Sequence, residues 1–511
     1  MERVLIECDL AAAGFDADPV HDLRVALRRC RSLADGMIAI DPDASWKEMK
    51  KAGRKLFRGL GELRDMQVME EWIAKLGAGN ATAGDPVVIN LLAHIHARET
   101  ECKQHAFKDL NQFDRKQWRQ WARSLPQRAS RVRPGSAVYA HLALEKWTAA
   151  YELHKRALRS RSQVSWHELR IGIKRFRYTV ENFLPRQHAA WGEDLKELQD
   201  LLGEVHDLDV LWATAVKISA FADEESQRRW RERLNEERGK RIESYRAKMV
   251  GRESLWKAWR AELPSGTELR SAALSRLRTW AGYLDPDSAH SRRVAQLALL
   301  LSDGLKRVGL LGADVGLVHV ATKNDLDLDS KLGLKVQTAS LDYDSRAVLE
   351  AAALLHDVGK AQGEENHQKN SFRMIRGLTR PLGWSAREMD MVAVVARYHR
   401  GALPSPRGKT LQLLPLEDRS TAVELAGVLR LANALDYRGG HAELGHPSPR
   451  LEVSLVDGTV VVVRVPGYSA LDRSAESVAT ARHLLETVMG KPVVVRALRV
   501  VARKPARRMA G

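Results

Sequence analysis

The 511-residue chain carries 82 Lys and Arg against 65 Asp and Glu, a formal charge of +17, with 44% hydrophobic and 29% charged residues. Such a length holds two to four domains with sizeable cores, and the composition excludes a disordered tail, a fibre and a membrane bundle. The three cysteines, Cys8, Cys30 and Cys102, form no CxxC pair, which excludes a disulfide framework and a cysteine zinc site and leaves them as buried small apolar residues.

The opening segment contains Glu2, Glu7 and Asp9 and lacks the basic, apolar and small-residue progression of a signal peptide. No apolar run approaches the ~20 residues of a membrane span, so a cytoplasmic protein is expected. The first strongly patterned helix places His21, Arg24, Arg28 and Arg31 at i, i+3, i+7 and i+10 on one face, with Leu23, Leu27 and Cys30 opposite. The helix after it puts Lys47, Lys51, Arg54 and Arg58 within one arc. An ungapped second copy follows: His167, Arg170, Lys174 and Arg177 repeat the cationic spacing, and Leu169, Ile173 and Phe176 repeat the apolar stripe. In its next helix only Lys196 is comparable. Leu60-Gly61 leading to Asp65 and Leu202-Gly203 leading to Asp207 form a further matched pair.

A charged stripe on a helix is ordinarily a solvated face. Here the charges are of one sign, so neighbouring acids do not relieve i,i+4 repulsion. Arg outnumbers Lys, which suits bidentate contact with phosphate oxygens, and the stripe occurs twice, so paired copies would line one groove with both rows. Residues 101–200, which contain the second copy, hold twenty Lys and Arg against eleven Asp and Glu. The region resembles the CHAD family, the conserved-histidine α-helical domains, through the two His-x-x-Arg-x-x-x-(Arg/Lys)-x-x-Arg helices, Tyr178 and Glu181, and the two Leu-Gly-x-x-x-Asp segments. The resemblance implies a helical bundle that binds inorganic polyphosphate through His21, Arg24, Arg28, Arg31, His167, Arg170, Lys174 and Arg177. Lys51, Arg54, Arg58 and Lys196 are expected to extend the track. A linear polymer with one charge per phosphate has no sequence to read and needs only a cationic path, whose affinity falls steeply with salt.

Between about 205 and 270 mixed charges, including Arg228 to Arg233, predict a long solvated helix that closes the bundle, with Pro264-Ser265-Gly266 as linker. Helical patterning resumes at about 270. His290 lies on a helix, His356-Asp357 ends an apolar helix and is followed by Lys360, and Asp436 ends another apolar helix. Imidazoles and carboxylates in this order suit a first-row divalent metal, provided that three helices converge. The order is the HD-domain pattern, and residues 280–490 resemble the C-terminal part of the exopolyphosphatase/guanosine pentaphosphate phosphatase family through Arg397-Tyr398-His399-Arg400-Gly401 and Leu429 to Asp436. By that resemblance His290, His356, Asp357 and Asp436 hold a divalent ion (Mn, Mg, Fe or Zn). His367 and His399 complete a second position or contact phosphate, Lys360 and Arg400 bind phosphoryl oxygens, and Asp357 orients or deprotonates a metal-bound water. His356, Asp357 and Lys360 are the expected catalytic residues.

The actin-like nucleotide-fold half that precedes this module in that family has no counterpart here, and there is no Gly-rich phosphate loop, so processive exopolyphosphatase activity is not implied. Residues 314–342 read as an inserted lid or partner loop. Its acidic run, Asn324 to Asp329, lacks the Gly and the closing Glu of a calcium loop. At the C-terminal end, alternation around Asp457-Gly458 predicts a β-hairpin, followed by a helix from Ala475 to Met489, a strand from Pro492 to Arg499, and a frayed basic end at Arg503 to Arg508.

The expected fold is mainly α: a duplicated helical bundle over 1–260 (repeats at about 1–135 and 136–260), an α-helical HD-type domain over 270–442, and a small α+β cap over 445–511. The expected function is polyphosphate binding joined to metal-dependent hydrolysis of a phosphate ester, a nucleotide or polyphosphate itself. The alternative is a non-enzymatic protein targeted to polyphosphate granules with the HD half as scaffold. Sequence-specific nucleic-acid binding is disfavoured by an aromatic content of 6% and the lack of a recognition helix or stacking platform.

Overall fold

The computed structural model describes residues 1–77, 85–311, 344–436, 450–471 and 473–498. The insertion expected at 314–342 and the basic end at 503–508 lie outside them. The chain divides into two compact units, Met1–Ser265 and Gly266–Gly511.

The first unit is built from helices: α1 Glu2–Ala12, α2 Ala17–Ile38, α3 Ala44–Gly59, α4 Gly61–Gly77, α5 Pro86–Asn111, α6 Arg115–Ala129, α7 Ala137–Ser160, α8 Gln163–Phe183, α9 Pro185–Lys217, α10 Glu224–Met249 and α11 Leu255–Ala261. The two repeat helices are α2 and α8. Each starts after a polar residue, and the Ser162 hydroxyl caps α8 by accepting from the Ser165 amide. Leu23, Leu27, Leu169, Ile173 and Phe176 are fully buried and Cys30 nearly so, so the stripe opposite the charges forms the core. The copies pack against each other. Gly36 of α2 faces Phe183 of α8 so closely that a Cβ there would lie 2.3 Å from the ring, and Phe183 stacks on Tyr139 at 4.3 Å. Downstream the copies differ: α3 ends at Gly59 and α4 begins at Gly61, whereas α9 runs unbroken through Leu202-Gly203 for 33 residues. Phe176→Ala should cost ~3–5 kcal/mol by opening a cavity between α8 and the Trp191 and Trp259 rings. Urea denaturation measures this, and a loss under 1 kcal/mol would contradict the packing described.

The second unit contains α12 Gly266–Leu284, α13 Ser288–Arg307, α14 Ser345–Leu355, α15 His367–Arg376, α16 Ala386–Arg397 and α17 Leu416–Leu435, with 3-10 turns at Val358–Gln362 and Leu411–Leu413. A three-stranded sheet follows: β1 Glu452–Val456, β2 Val460–Val465 and β3 Val493–Ala497, with α18 (Arg473–Met489) between β2 and β3. β1 and β2 are antiparallel, and β2 and β3 are parallel through the α18 crossover. The hairpin turns at Asp457 and Gly458, both at positive φ (49° and 65°), as a primed turn requires. Val461, Val463 and Val493 join the core that contains Val294 of α13, Leu355 of α14 and Leu429 of α17. The sheet thus shares one interior with the helices that carry His290, His356 and Asp436. No helix among the described residues is long and apolar enough to cross a membrane.

Candidate functional site

The cationic stripes of α2 and α8 face each other across the repeat junction. Arg28 of α2 donates to the Tyr178 hydroxyl of α8 at 3.1 Å, and Arg29 pairs with Glu181 at 3.0 Å. Phe57 of α3 is a platform for the first row: the guanidiniums of Arg24, Arg31 and Arg28 lie 4.1, 5.4 and 6.0 Å from its ring centroid, and Arg24 donates to the Phe57 carbonyl. These rings and carbonyls hold the guanidiniums extended without neutralising them. The Nε atoms of Arg28, Arg31 and Arg177 are buried without a hydrogen-bond partner, so these guanidiniums are not tied to an acceptor through Nε.

The charges interact across the repeats. Burial lowers Lys174 to about 6, and Arg28, Arg170 and Arg24 push it the same way against Asp207. Burial brings Arg24 down to about 10, with Asp65 opposing and Arg28, Arg64 and Arg170 reinforcing. Arg170 is lowered by burial against Asp207. Asp207 is raised by burial to about 6, and Asp65 adds to the rise. His21 and His167 are lowered by burial and by neighbouring arginines, and His206, whose Nδ1 lies 3.3 Å from that of His167, is lowered by burial to about 4. Arg31, lowered by burial, also feels Arg54, Arg58 and Arg175, which carries the positive face onto α3. Lys51 is exposed on α3 in line with Arg54 and Arg58, and Lys196 is exposed on α9, where it and Arg177 oppose the burial that raises Asp200.

The expected row is therefore brought together, and four further residues belong to it. Arg64-Asp65 and His206-Asp207 occupy the same register of the two copies, and each aspartate tempers the central arginine of its own repeat. The repeated Asp of the Leu-Gly-x-x-x-Asp segments was the sequence signal for the pair.

In the second unit four histidines surround Asp357, which is nearly fully buried. His356 Nδ1 donates to the Ala353 carbonyl at 2.7 Å, His367 Nδ1 to Glu364 at 2.8 Å and His399 Nδ1 to Ala396 at 2.8 Å. With the proton on Nδ1 in each ring, the three Nε2 lone pairs point inward. Asp357 Oδ1 lies 3.2 Å from His367 Nε2 and 3.7 Å from His399 Nε2. Oδ2 lies 3.3 Å from His356 Nε2, 3.8 Å from His290 Nε2 and 2.6 Å from Lys360 Nζ. Burial alone would raise the Asp357 carboxyl, but the positive charge and Nε2–H donation that His356, His367 and His399 supply when doubly protonated outweigh it and hold the carboxyl well below the usual range, the same nitrogens offering lone pairs when the rings are neutral. Burial and His356 hold His399 well below its usual value.

Gly359 permits this approach, because a Cβ there would sit 2.2 Å from the His367 carbonyl oxygen. Ser371 ties the turn down, accepting from the Gly359 amide at 2.9 Å and donating to the His356 carbonyl at 2.6 Å. Asp436 adjoins His290 but is not in either grouping of ligand atoms that lie within 4.8 Å of one another. It accepts a two-pronged contact from Arg293 at 2.8 and 3.0 Å and pairs with His290 Nδ1 at 2.7 Å, while His290 Nε2 is 3.0 Å from the Asn433 side-chain oxygen. These contacts hold Asp436 below its usual value against burial and, against burial, raise His290. Arg293 and Asn433 lie three residues along their helices from His290 and Asp436, on the same faces. Arg400 is exposed beside buried His399, in a turn whose carbonyls, those of Tyr398 and Gly401, accept from Arg430.

The donor set suits a divalent metal. Ligand atoms of His290, His356 and Asp357, and of Asp357, His367 and His399, lie within 4.8 Å of one another. His356 Nε2 is buried and makes no well-formed hydrogen bond, and His367 Nε2 faces His399 Nε2 at 3.2 Å, a meeting of lone pairs that a cation would relieve.

The chain thus carries two modules, a duplicated helical unit with a cationic face and a unit with a histidine-rich centre on apolar helices. Residues 3–216 match the CHAD domain, and residues 318–448 match Ppx/GppA phosphatase, domain III. The chain joins a CHAD domain to a module similar to that phosphatase domain. No curated protein matches it.

Proposed function

We propose that the first unit binds inorganic polyphosphate along the α2/α8 groove and that the second is a metal-dependent phosphohydrolase of HD type acting on a phosphate ester, a nucleotide or polyphosphate. The observation that carries the first half is the joining of two in-register cationic rows across the α2/α8 junction, where Arg28 reaches Tyr178 and the charges of Arg24, Arg28 and Arg170 act together on Lys174. For the second half it is the convergence of His290, His356, His367 and His399 on Asp357. These five residues would hold the metal, which when bound acidifies water and polarises a phosphoryl oxygen. Asp357 supplies the fixed negative charge between its two donor groups. Lys360 orients that carboxylate and presents an ammonium to a phosphoryl oxygen, and Arg400, at the surface beside His399, attracts the phosphate. Asp436, clamped by Arg293, orients His290 from behind.

Phosphate release from nucleotides and polyphosphate with added Mn²⁺ or Mg²⁺ tests the enzyme half, and no release across the panel would remove it. The scaffold reading would then stand, with placement at polyphosphate granules depending on Arg24, Arg28, Arg170 and Lys174.

The groove predicts proton-linked binding. Lys174 and Asp207 both titrate near 6 in the free protein, and a docked polyanion raises both values. Between the free and bound values the complex holds more protons, so affinity falls as pH rises above about 6 and levels off below it, by up to ~10-fold per pH unit for each proton taken up. Calorimetry at pH 7 in buffers of different ionisation enthalpy should read net proton uptake; none, or release, would contradict the electrostatics described.

A further inference from the structure

The groove does not absorb all of the positive charge in the first unit. From Arg115 to Leu144 the chain contains no Asp or Glu, yet it carries Arg115, Lys116, Arg119, Arg123, Arg128, Arg131 and Arg133. The acids that pair with α6 do so at its ends: Asp9 pairs with Arg115, and Asp41 and Asp43 pair with Arg128. Lys116, Arg119 and Arg123, at i, i+3 and i+7 on α6, are exposed on one face. Opposite them, Trp118, Trp121 and Leu125 are buried.

The side on which α6 sits follows from its packing. Trp118 meets Gly53 of α3 close to Leu27, and Leu27 belongs to the apolar stripe of α2, opposite Arg24, Arg28 and Arg31. The α6 ridge therefore points away from the groove, and one short polymer cannot lie on both faces. Its tryptophans are turned inward, which leaves no stacking platform for unpaired bases.

We infer that the outward face of α6, formed by Lys116, Arg119 and Arg123, is a second and weaker polyphosphate contact that lets one protein molecule bridge two polyphosphate chains. The inference rests on the groove being the primary polyphosphate site. The ridge is the weaker contact because its three charges are exposed and screened, whereas the groove pre-orients partly buried donors. Bridging turns a binding protein into a cross-linker, since each long chain offers many equivalent segments.

Calorimetry with short-chain polyphosphate and light scattering with long-chain polyphosphate, both on the full chain at fixed low salt, test this. Wild type should show a tight and a weak class of sites and should form large assemblies with the long polymer. The variant Lys116→Glu/Arg119→Glu/Arg123→Glu, altered only at exposed positions, should keep the tight class and the thermal midpoint, lose the weak class, and scatter as isolated complexes. Unchanged stoichiometry and scattering in that variant would overturn the α6 proposal. Displacement of the weak class by duplex DNA at lower concentration than by polyphosphate would overturn the choice of ligand. Absence of a tight class in wild type, with the weak class still lost in the variant, would instead be a failure of the groove reading.

Discussion

Charge reversal at the centre of the groove, Arg28→Glu with Arg170→Glu, should weaken polyphosphate binding by ~10²-fold or more while leaving the fold intact. The two arginines come from different repeats and meet the same central charges: both lower Lys174, and Arg28 in turn lowers Arg170. A charge-assisted hydrogen bond contributes ~1.5–3 kcal/mol, and ~1.4 kcal/mol is tenfold in affinity, so losing two reaches ~10²-fold before the added repulsion is counted. The same change should flatten the salt dependence, because fewer phosphates are neutralised. Equilibrium titration at several salt concentrations reads both effects. An unchanged salt slope would place the polymer elsewhere. Folding should survive because Arg28 and Arg170 flank the apolar stripe, and Leu27 and Leu169 remain in the core.

Asp357→Ala should abolish metal retention and any phosphate release together. Its two oxygens face opposite donor groups, Oδ1 towards His367 and His399 and Oδ2 towards His290, His356 and Lys360. Removing it takes away the one carboxylate that joins the two donor groups and leaves the Lys360 ammonium without its partner beside the imidazoles, which weakens the hold on a divalent cation. Lys360→Met, by contrast, should keep the metal and lower only turnover. Metal analysis of each variant purified without added ions separates the cases, and stoichiometric metal in Asp357→Ala would contradict the assigned ligand set. Neither change should alter binding of polyphosphate by the first unit.

What the sequence made legible follows from periodicity. His21 to Arg31 and His167 to Arg177 combine a 3.6-residue apolar stripe with charge of one sign, so both α2 and α8 and their paired faces could be read before folding. The hairpin was legible because Asp457-Gly458 interrupts strict alternation. The contacts that tune each site depend on tertiary approach and carry no periodic signal. Phe57, one ring on α3, supports three arginines of α2. His356 and His399 find the free carbonyls of Ala353 and Ala396 because α14 and α16 end there, where helical acceptors lie open. Asp436 has the spacing of a ligand, yet Arg293 engages both of its oxygens, a pairing set by how α13 and α17 pack. The break between α3 and α4, against the continuous α9, likewise separates two segments with the same Leu-Gly signature.

The central claim is that polyphosphate lies between the two repeats of the first unit. A crystal structure of the full chain grown with short-chain polyphosphate tests it most directly. The account predicts phosphate density along the α2/α8 junction, within hydrogen-bonding distance of Arg28, Arg170 and Lys174. Saturating polyphosphate with density only outside that junction, and Arg28 still bound solely to Tyr178, would contradict it.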